Sequence, residues 1–289
     1  MTTINDIPKR SRPASSRREL IIAPHTADKR YWHDLWAYRE LFQVLARRDI
    51  SVRYKQTVIG AAWALVRPIL TMIVFTVIFG RIAKLPSEGD APYALMVFAG
   101  MLPWSFFSTA VSDSSNSLIT NSHLISKVYF PRMIVPFASV MVALVDFAIA
   151  LCVFAVLMIT YRYPPTLNVL LLPFFTALAF ALSLGIGLLI TSLNVKYRDF
   201  RHIVPFVIQL GLFVSPVGFS AAIIPEQWRL LYALNPMVGI INGFRWSLLG
   251  GGTPLDLTEL GVSLLVTGIL LVVGVRRFRK TEKGFADII

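Results

Sequence analysis

MIVPFASVMVALVDFAIALCVFAVLMIT, residues 133–160, carries one charged side chain, Asp146, in 28 residues. A helix rising about 1.5 Å per residue crosses about 30 Å of hydrocarbon in roughly 20 apolar residues, so the run reads as a membrane span. Outward from it, comparable runs lie at 58–80, 93–111, 167–193, 203–222 and 258–275. Six spans define an all-α membrane protein with a transmembrane domain over 58–275. Residues 223–252 are also fairly apolar, but Pro225, Glu226, Arg229, Asn235, Pro236 and Arg245 cut them into pieces too short to cross. Re-entrant helices between spans five and six fit this stretch, since irregular backbone at membrane depth is tolerated only where protein or a wet cavity satisfies it.

Composition agrees. Of 289 residues 55% are hydrophobic and 15% charged, with mean hydropathy +0.65, whereas an ordinary soluble domain is about a quarter charged. The net charge of +12 is concentrated at the ends. Residues 1–57 hold 12 Lys/Arg against 6 Asp/Glu, and 276–289 hold 5 against 2. The high pI therefore describes basic tails and is poor support for a nucleic-acid partner. With the N-terminus inside, the cytoplasmic segments carry 22 Lys/Arg and the outer segments 5, which places both termini in the cytoplasm. The chain is expected to cross its membrane several times.

The first long apolar run begins only near Val58, so the first span is expected to be an uncleaved anchor rather than a secretory signal. Residues 1–34, with KRSRPASSRREL, read as a disordered basic lead. Over 35–57, Leu35, Tyr38, Leu41, Phe42 and Leu45 recur at three and four, which predicts an amphipathic helix on the inner leaflet. Residues 276–289 form a basic cytoplasmic tail. Cys152 stands alone inside an apolar run, where it reads as a packing residue, and no disulfide or thiolate metal site can be built within the chain.

Enzyme chemistry finds little to work with. No GxxxxGK[ST] loop and no HExxH is present, and His25, His33, His123 and His202 are scattered. No catalytic residue and no metal site is assigned. Asp146 is the clear mid-span acid, expected to pair with a polar group on a neighbouring helix rather than to form a proton relay. The energy for a six-span body handling a substrate must then come from a partner or an ion gradient.

Five motifs resemble one family. RRDISVRYKQTVIGAAWALVRPIL (47–70), FAGMLPWSFF (98–107), NSHLISKVYFPRMIVP (121–136), NVKYRDFRHIVPF (194–206) and NPM (235–237) stand in the order and spacing of ABC type 2 membrane subunits that export O-antigen and related lipid-linked glycans. The resemblance implies a homodimer with two copies of a separately encoded ATPase, which binds ATP and Mg in place of this chain. It also implies a bacterial inner membrane as the location and a path for an undecaprenyl-diphosphate-linked polymer. Other cargo, such as a teichoic acid or a drug, is an alternative within the class; an ion-coupled transporter or a membrane-embedded transferase are alternatives outside it.

The residues themselves set the candidate sites. Arg53 and Lys55, beside Tyr54, stand where the chain turns from lying flat to crossing, and cations there suit a lipid diphosphate. Generic attraction to anionic lipid is an equal reading. Arg67, before Pro68, would cost ~2.5–3.5 kcal/mol at mid-bilayer and is expected to snorkel or face water. Leu124, Ile125, Lys127, Val128, Tyr129 and Phe130, ended by Pro131, leave an apolar patch on the inner side. In the family this is the helix that docks on the ATPase; packing under the bundle is the competing reading. Aromatic rings offer sugars an apolar face, and family resemblance points to Trp63, Phe75, Phe206, Phe213 and Phe219 as channel-lining candidates. Ser215, Pro216 and Gly218 are expected to break span five and lead into a re-entrant outer gate around Pro225–Arg245.

Overall fold

The computed structural model describes residues 27–55, 60–197, 199–250, 254–282 and 284–285, without side chains at 27–30, 55, 60–65 and 67. Every regular element among them is helical. In chain order these are α1 Ala27–Ala37, α2 Arg39–Lys55, α3 Gly60–Phe75 with a π-helical continuation Thr76–Ile82, α4 Tyr93–Thr120 and α5 Ser122–Lys127. There follow α6 Ile134–Thr160, α7 Leu172–Lys196 after a 3-10 turn at Leu167–Leu171, α8 Phe200–Val214, α9 Glu226–Ala233, α10 Pro236–Leu249 and α11 Leu257–Glu282.

Among the described residues four helices are long and apolar enough to cross a membrane: α4, α6, α11, and α7 taken with its 3-10 turn. The first and fifth of the six expected spans are represented by shorter apolar helices. The apolar stretch Pro68–Ile82 lies on α3 and its π-helical end, and α8 has 15 residues, about 22 Å. Span five, expected over 203–222, stops as a helix at Val214, because Pro216 withdraws a backbone donor and Ser215 is already extended.

α4 is the central helix. It is buried on every side, against α3, α6, α7 and α10, which is why its apolar residues show no single face. It also runs past the expected end at residue 111 to Thr120. Its serines make this possible by bonding their own helix, Ser115 Oγ to Ser112 O at 2.7 Å and Ser117 Oγ to Ser114 O at 2.7 Å. Neighbouring polar groups on α7 then bond the same turn, Thr191 to Ser114 O and Asn194 to Ser115 O, each at 2.8 Å. A serine-rich stretch that reads as a loop is thus a helix with its hydroxyls satisfied.

α11 lies along α7 through two glycines. A Cβ on Gly185 would come within 2.7 Å of the Leu271 backbone, and one on Gly274 would run into the Gly185 carbonyl. Small residues let helix backbones approach where lipid offers no hydrophobic drive for association. Gly274→Leu is expected to lift α11 off α7 at a cost of about 1–3 kcal/mol. Thermal unfolding in detergent checks this, with Gly268→Leu, where a side chain meets only open space, expected to melt like the parent.

Two structural differences concern the inner side. Residues 27–34 of the expected disordered lead belong to α1; residues 1–26 lie outside the described set. The predicted amphipathic helix is divided at Tyr38 into α1 and α2, and its apolar stripe faces protein. Leu45 is buried, and Leu35, Tyr38, Leu41 and Phe42 pack with Leu118, Ile125, Phe130, Met133 and Val135. Periodicity identifies an apolar face but not what covers it. Trp32, Trp36, Val44 and Val52 are the large hydrophobic residues left exposed among the described side chains of α1 and α2.

Candidate functional site

Two charged centres among the described residues stand out within the helical bundle. The first forms where α2 ends. Arg53 donates from Nη1 to Asp146 on α6 and from Nη2 to Asp113 on α4, and the Tyr54 hydroxyl donates to the other Asp146 oxygen. Asp146 lies twelve residues into α6, about 18 Å along it, so the end of α2 reaches well up the bundle. Asp146 thus has the polar partner expected of a mid-span acid. Below it, Arg48 bonds Asp49 and, at 2.6 Å, Asn121 at the end of α4. The expected headgroup cation Arg53 is therefore held between two carboxylates. The side chains of Lys55 and Arg67 lie outside the described set.

The segment 121–133 is divided between the two readings given for it. Ile125 and Phe130 are buried in the inner apolar cluster and Leu124 packs against it, whereas Lys127, Val128 and Tyr129 are exposed. The end of α11 holds this segment: Glu282 accepts from the Arg132 amide at 2.6 Å, and its carbonyl accepts from the Arg132 side chain. Tyr31 on α1 donates to the same carboxylate at 2.9 Å, and Arg279 lies over its ring at 4.7 Å. Burial and the Glu282 carboxylate push the Tyr31 phenol up, so it remains a donor.

The second centre is built on Arg245 of α10, which is 1% exposed. Its Nη1 bonds Glu88 at 2.9 Å and the Phe219 carbonyl at 3.0 Å, Nη2 bonds the Val217 carbonyl at 3.0 Å, and Nε bonds the Met96 carbonyl at 3.2 Å. Val217 and Phe219 belong to the stretch where the chain has left α8 and lost its helical donors. Gly218 between them accepts from Tyr93 at 2.6 Å, and Ser215 accepts from Asn235 at 3.0 Å. Gly100 makes room: a Cβ there would lie 3.0 Å from Arg245 Nη2 and 3.2 Å from the Val217 carbonyl. α10 begins beside Ser215 through Asn235 and ends beside the loop joining α6 to α7, where the Leu249 carbonyl accepts from Tyr163 at 2.6 Å.

Of the expected channel aromatics, Phe75 is buried, edge-on to Phe79 and packed on Gly218. Phe206 and Phe213 are exposed on one face of α8, Phe219 is half-buried at the break, and the Trp63 side chain lies outside the described set. The four described positions do not share one surface within this chain, since Phe75 is buried whereas Phe206 and Phe213 are exposed. No group of three or more His, Cys, Asp or Glu able to hold a metal occurs among the described residues.

A family model described as "ABC-2 type transporter" matches residues 40–249. The chain belongs to the ABC-2 type transporter family. Membership makes it a membrane transporter chain with several apolar helices and implies a partner ATPase. It is 27% identical over 252 residues to the O-antigen export system permease protein RfbA of Klebsiella pneumoniae, covering 86% of this chain and 95% of the relative. RfbA of Myxococcus xanthus is 28% identical over 258 residues, 89% of this chain and 98% of the relative. The inner membrane transport permease YadH of Escherichia coli K12 is 26% identical over 203 residues, 64% and 75% respectively.

The ABC-2 match runs from α2 to the end of α10 and so includes both polar centres, while α11 lies beyond it. Asp113 and Glu88 are not singled out by the sequence, which presents Arg245 as a charge interrupting an apolar stretch and as the end of the expected outer-gate region, not as the holder of a broken backbone. The signal was present in GIINGFRWSLL, a cation with apolar residues on both sides, which must find partners by the same reasoning that applies to Asp146.

Proposed function

We propose that this ABC-2 chain is the membrane-spanning subunit of an ATP-driven exporter that moves a lipid-linked polysaccharide out of the cytoplasm. The observation that carries this reading is the near full-length match to permeases named for O-antigen export, at 95–98% of their length, against a shorter match to a permease of unspecified cargo. Two copies of the chain work with two copies of the ATPase, which holds ATP and Mg. The chain crosses six times, with α3 and the broken fifth span completing the count, and its basic ends remain in the cytoplasm. The course of α10 from Ser215 outward to the Tyr163 loop supports a re-entrant hairpin, with α9 entering and α10 returning.

The apolar faces of α3 and α8, including Leu70, Ile73 and Val74 and Phe206, Leu210 and Phe213, are the surfaces proposed to meet across the dimer and border the path. Arg53, Lys55 and Arg67 are the cations proposed to meet the lipid diphosphate. Arg53 enters that role already paired, so a diphosphate must displace Asp113 or Asp146. Deleting the gene in a host that assembles polysaccharide on a lipid diphosphate is expected to leave the polymer on the inner side of the membrane. Surface polymer at parental levels without this chain would sink the proposal.

The exposed part of the 121–133 segment is the proposed ATPase contact. V128D/Y129D is expected to reduce co-purification of the ATPase by about tenfold while leaving the chain folded, since both residues are exposed. I125D or F130D is expected to lower the yield of folded chain instead, because each would bury an unpaired carboxylate. Pull-down against a tagged ATPase, with size-exclusion profiles of each variant, separates the two effects.

A further inference from the structure

Between Ser215 and Ser220 the chain is neither helix nor strand, yet Ser215, Pro216, Val217, Gly218 and Ser220 are all buried. Backbone in that condition needs donors from elsewhere. Three successive carbonyls receive them from side chains: Val217 and Phe219 from Arg245, and Gly218 from Tyr93. One guanidinium and one phenol thus replace the hydrogen bonds of a missing helical turn. The guanidinium also ties that turn to the Met96 carbonyl at the start of α4.

The remaining partner of Arg245 differs in kind. Glu88 comes from the non-helical stretch between Ile82 and Tyr93, and its side chain is 11% exposed against 0% for that of Arg245. The three carbonyls are neutral acceptors, two of them in buried bonds, whereas the carboxylate is the charged partner and its side chain is partly accessible. Of the four contacts, the ion pair is the one whose loss leaves the guanidinium buried without a counter-charge.

We propose that Arg245 is the positioning residue of the outer gate, standing in for the helix between Ser215 and Ser220, and that its ion pair with Glu88 is the latch that keeps this segment shut. When the pair parts, the buried guanidinium is left without a counter-charge, the closed arrangement that buries it is destabilised, and the segment between α8 and α9 separates from α4. The proposal rests on the exporter reading for the direction of the gate and for what passes it.

The test reads closure directly. In membranes of cells expressing the full chain with Cys152→Ala, V217C is offered a membrane-impermeant maleimide from the outer face. Val217 is 0% exposed, so V217C is expected to react slowly with Glu88 intact. Adding E88Q, which keeps an acceptor but removes the charge, is expected to raise the rate about tenfold or more, and E88D to restore slow labelling. A179C, on the buried face of α7, is expected to stay unreactive throughout. Equal labelling of V217C with and without E88Q overturns the proposal. So does A179C becoming reactive together with V217C, because the pair then holds the fold as a whole. Neither cargo nor ATP takes part in the labelling, so failure of the latch and failure of the polysaccharide assignment are read separately.

Discussion

Arg245→Ala is expected to lower the melting temperature of the purified chain by about 10 °C. The substitution leaves Glu88 without its cation and takes from the carbonyls of Met96, Val217 and Phe219 the donors that Arg245 supplies. Breaking a buried pair by removing one member costs about 3–5 kcal/mol, and a chain of this size loses about 2–4 °C for each kcal/mol. Arg245→Lys retains the charge but gathers three donors at one point, where Arg spreads five over a planar fork; an intermediate loss is expected. Adding Glu88→Ala to Arg245→Ala is expected to recover part of the loss, because an unpaired carboxylate disappears. Differential scanning fluorimetry in detergent measures all three. An Arg245→Ala chain that melts with the parent would mean that the guanidinium does not hold these acceptors together.

Arg53→Ala is expected to abolish export and to cost about 1–3 kcal/mol of stability. The three side chains are 21–34% exposed, so the figure is held below that of a fully buried pair. Asp113 and Asp146 would then face each other without a cation between them, and α2 would lose its tie to α4 and α6. The informative variant is R53A/D113N/D146N, which removes the repulsion along with the cation. If Arg53 works only as the ion-paired fastening of α2, the triple variant regains stability and part of the export. If Arg53 also receives the lipid diphosphate, stability returns and export does not. Surface polysaccharide and melting temperature, measured on the same set of variants, decide between these roles.

Much of the fold was legible because the bilayer imposes length and polarity on each crossing. Residues 133–160 and 93–111 announced α6 and most of α4, and Asp146 announced that it needed a partner. Its partner was not legible. Arg53 is 93 positions away and is brought there only by the path of α2 along α6. The serines of 112–117 read as loop because hydroxyls compete with backbone, and they are helical because α7 supplies a packed surface and further bonds.

Within the candidate sites the division is similar. The apolar character of Leu124 to Phe130 was evident, but which members face solvent depends on the inner cluster that takes up Ile125 and Phe130 and leaves Val128 and Tyr129 outside. The break at Ser215 to Gly218 was signalled by Pro216, whereas the means of closing it was not. Arg245 lies 28 residues beyond Val217, and Glu88 lies 157 residues before Arg245.

The sequence alone determined an all-helical membrane chain with basic ends, a broken fifth apolar segment, and motifs of one transporter family, because hydropathy, charge placement and proline act locally. Only the tertiary structure decided which buried charges meet, which face of each amphipathic segment is covered, and how the broken backbone is satisfied. Those outcomes depend on distances between residues far apart in the chain, and a buried charge or carbonyl accepts whichever partner the packing of α4, α6 and α10 brings within hydrogen-bond reach.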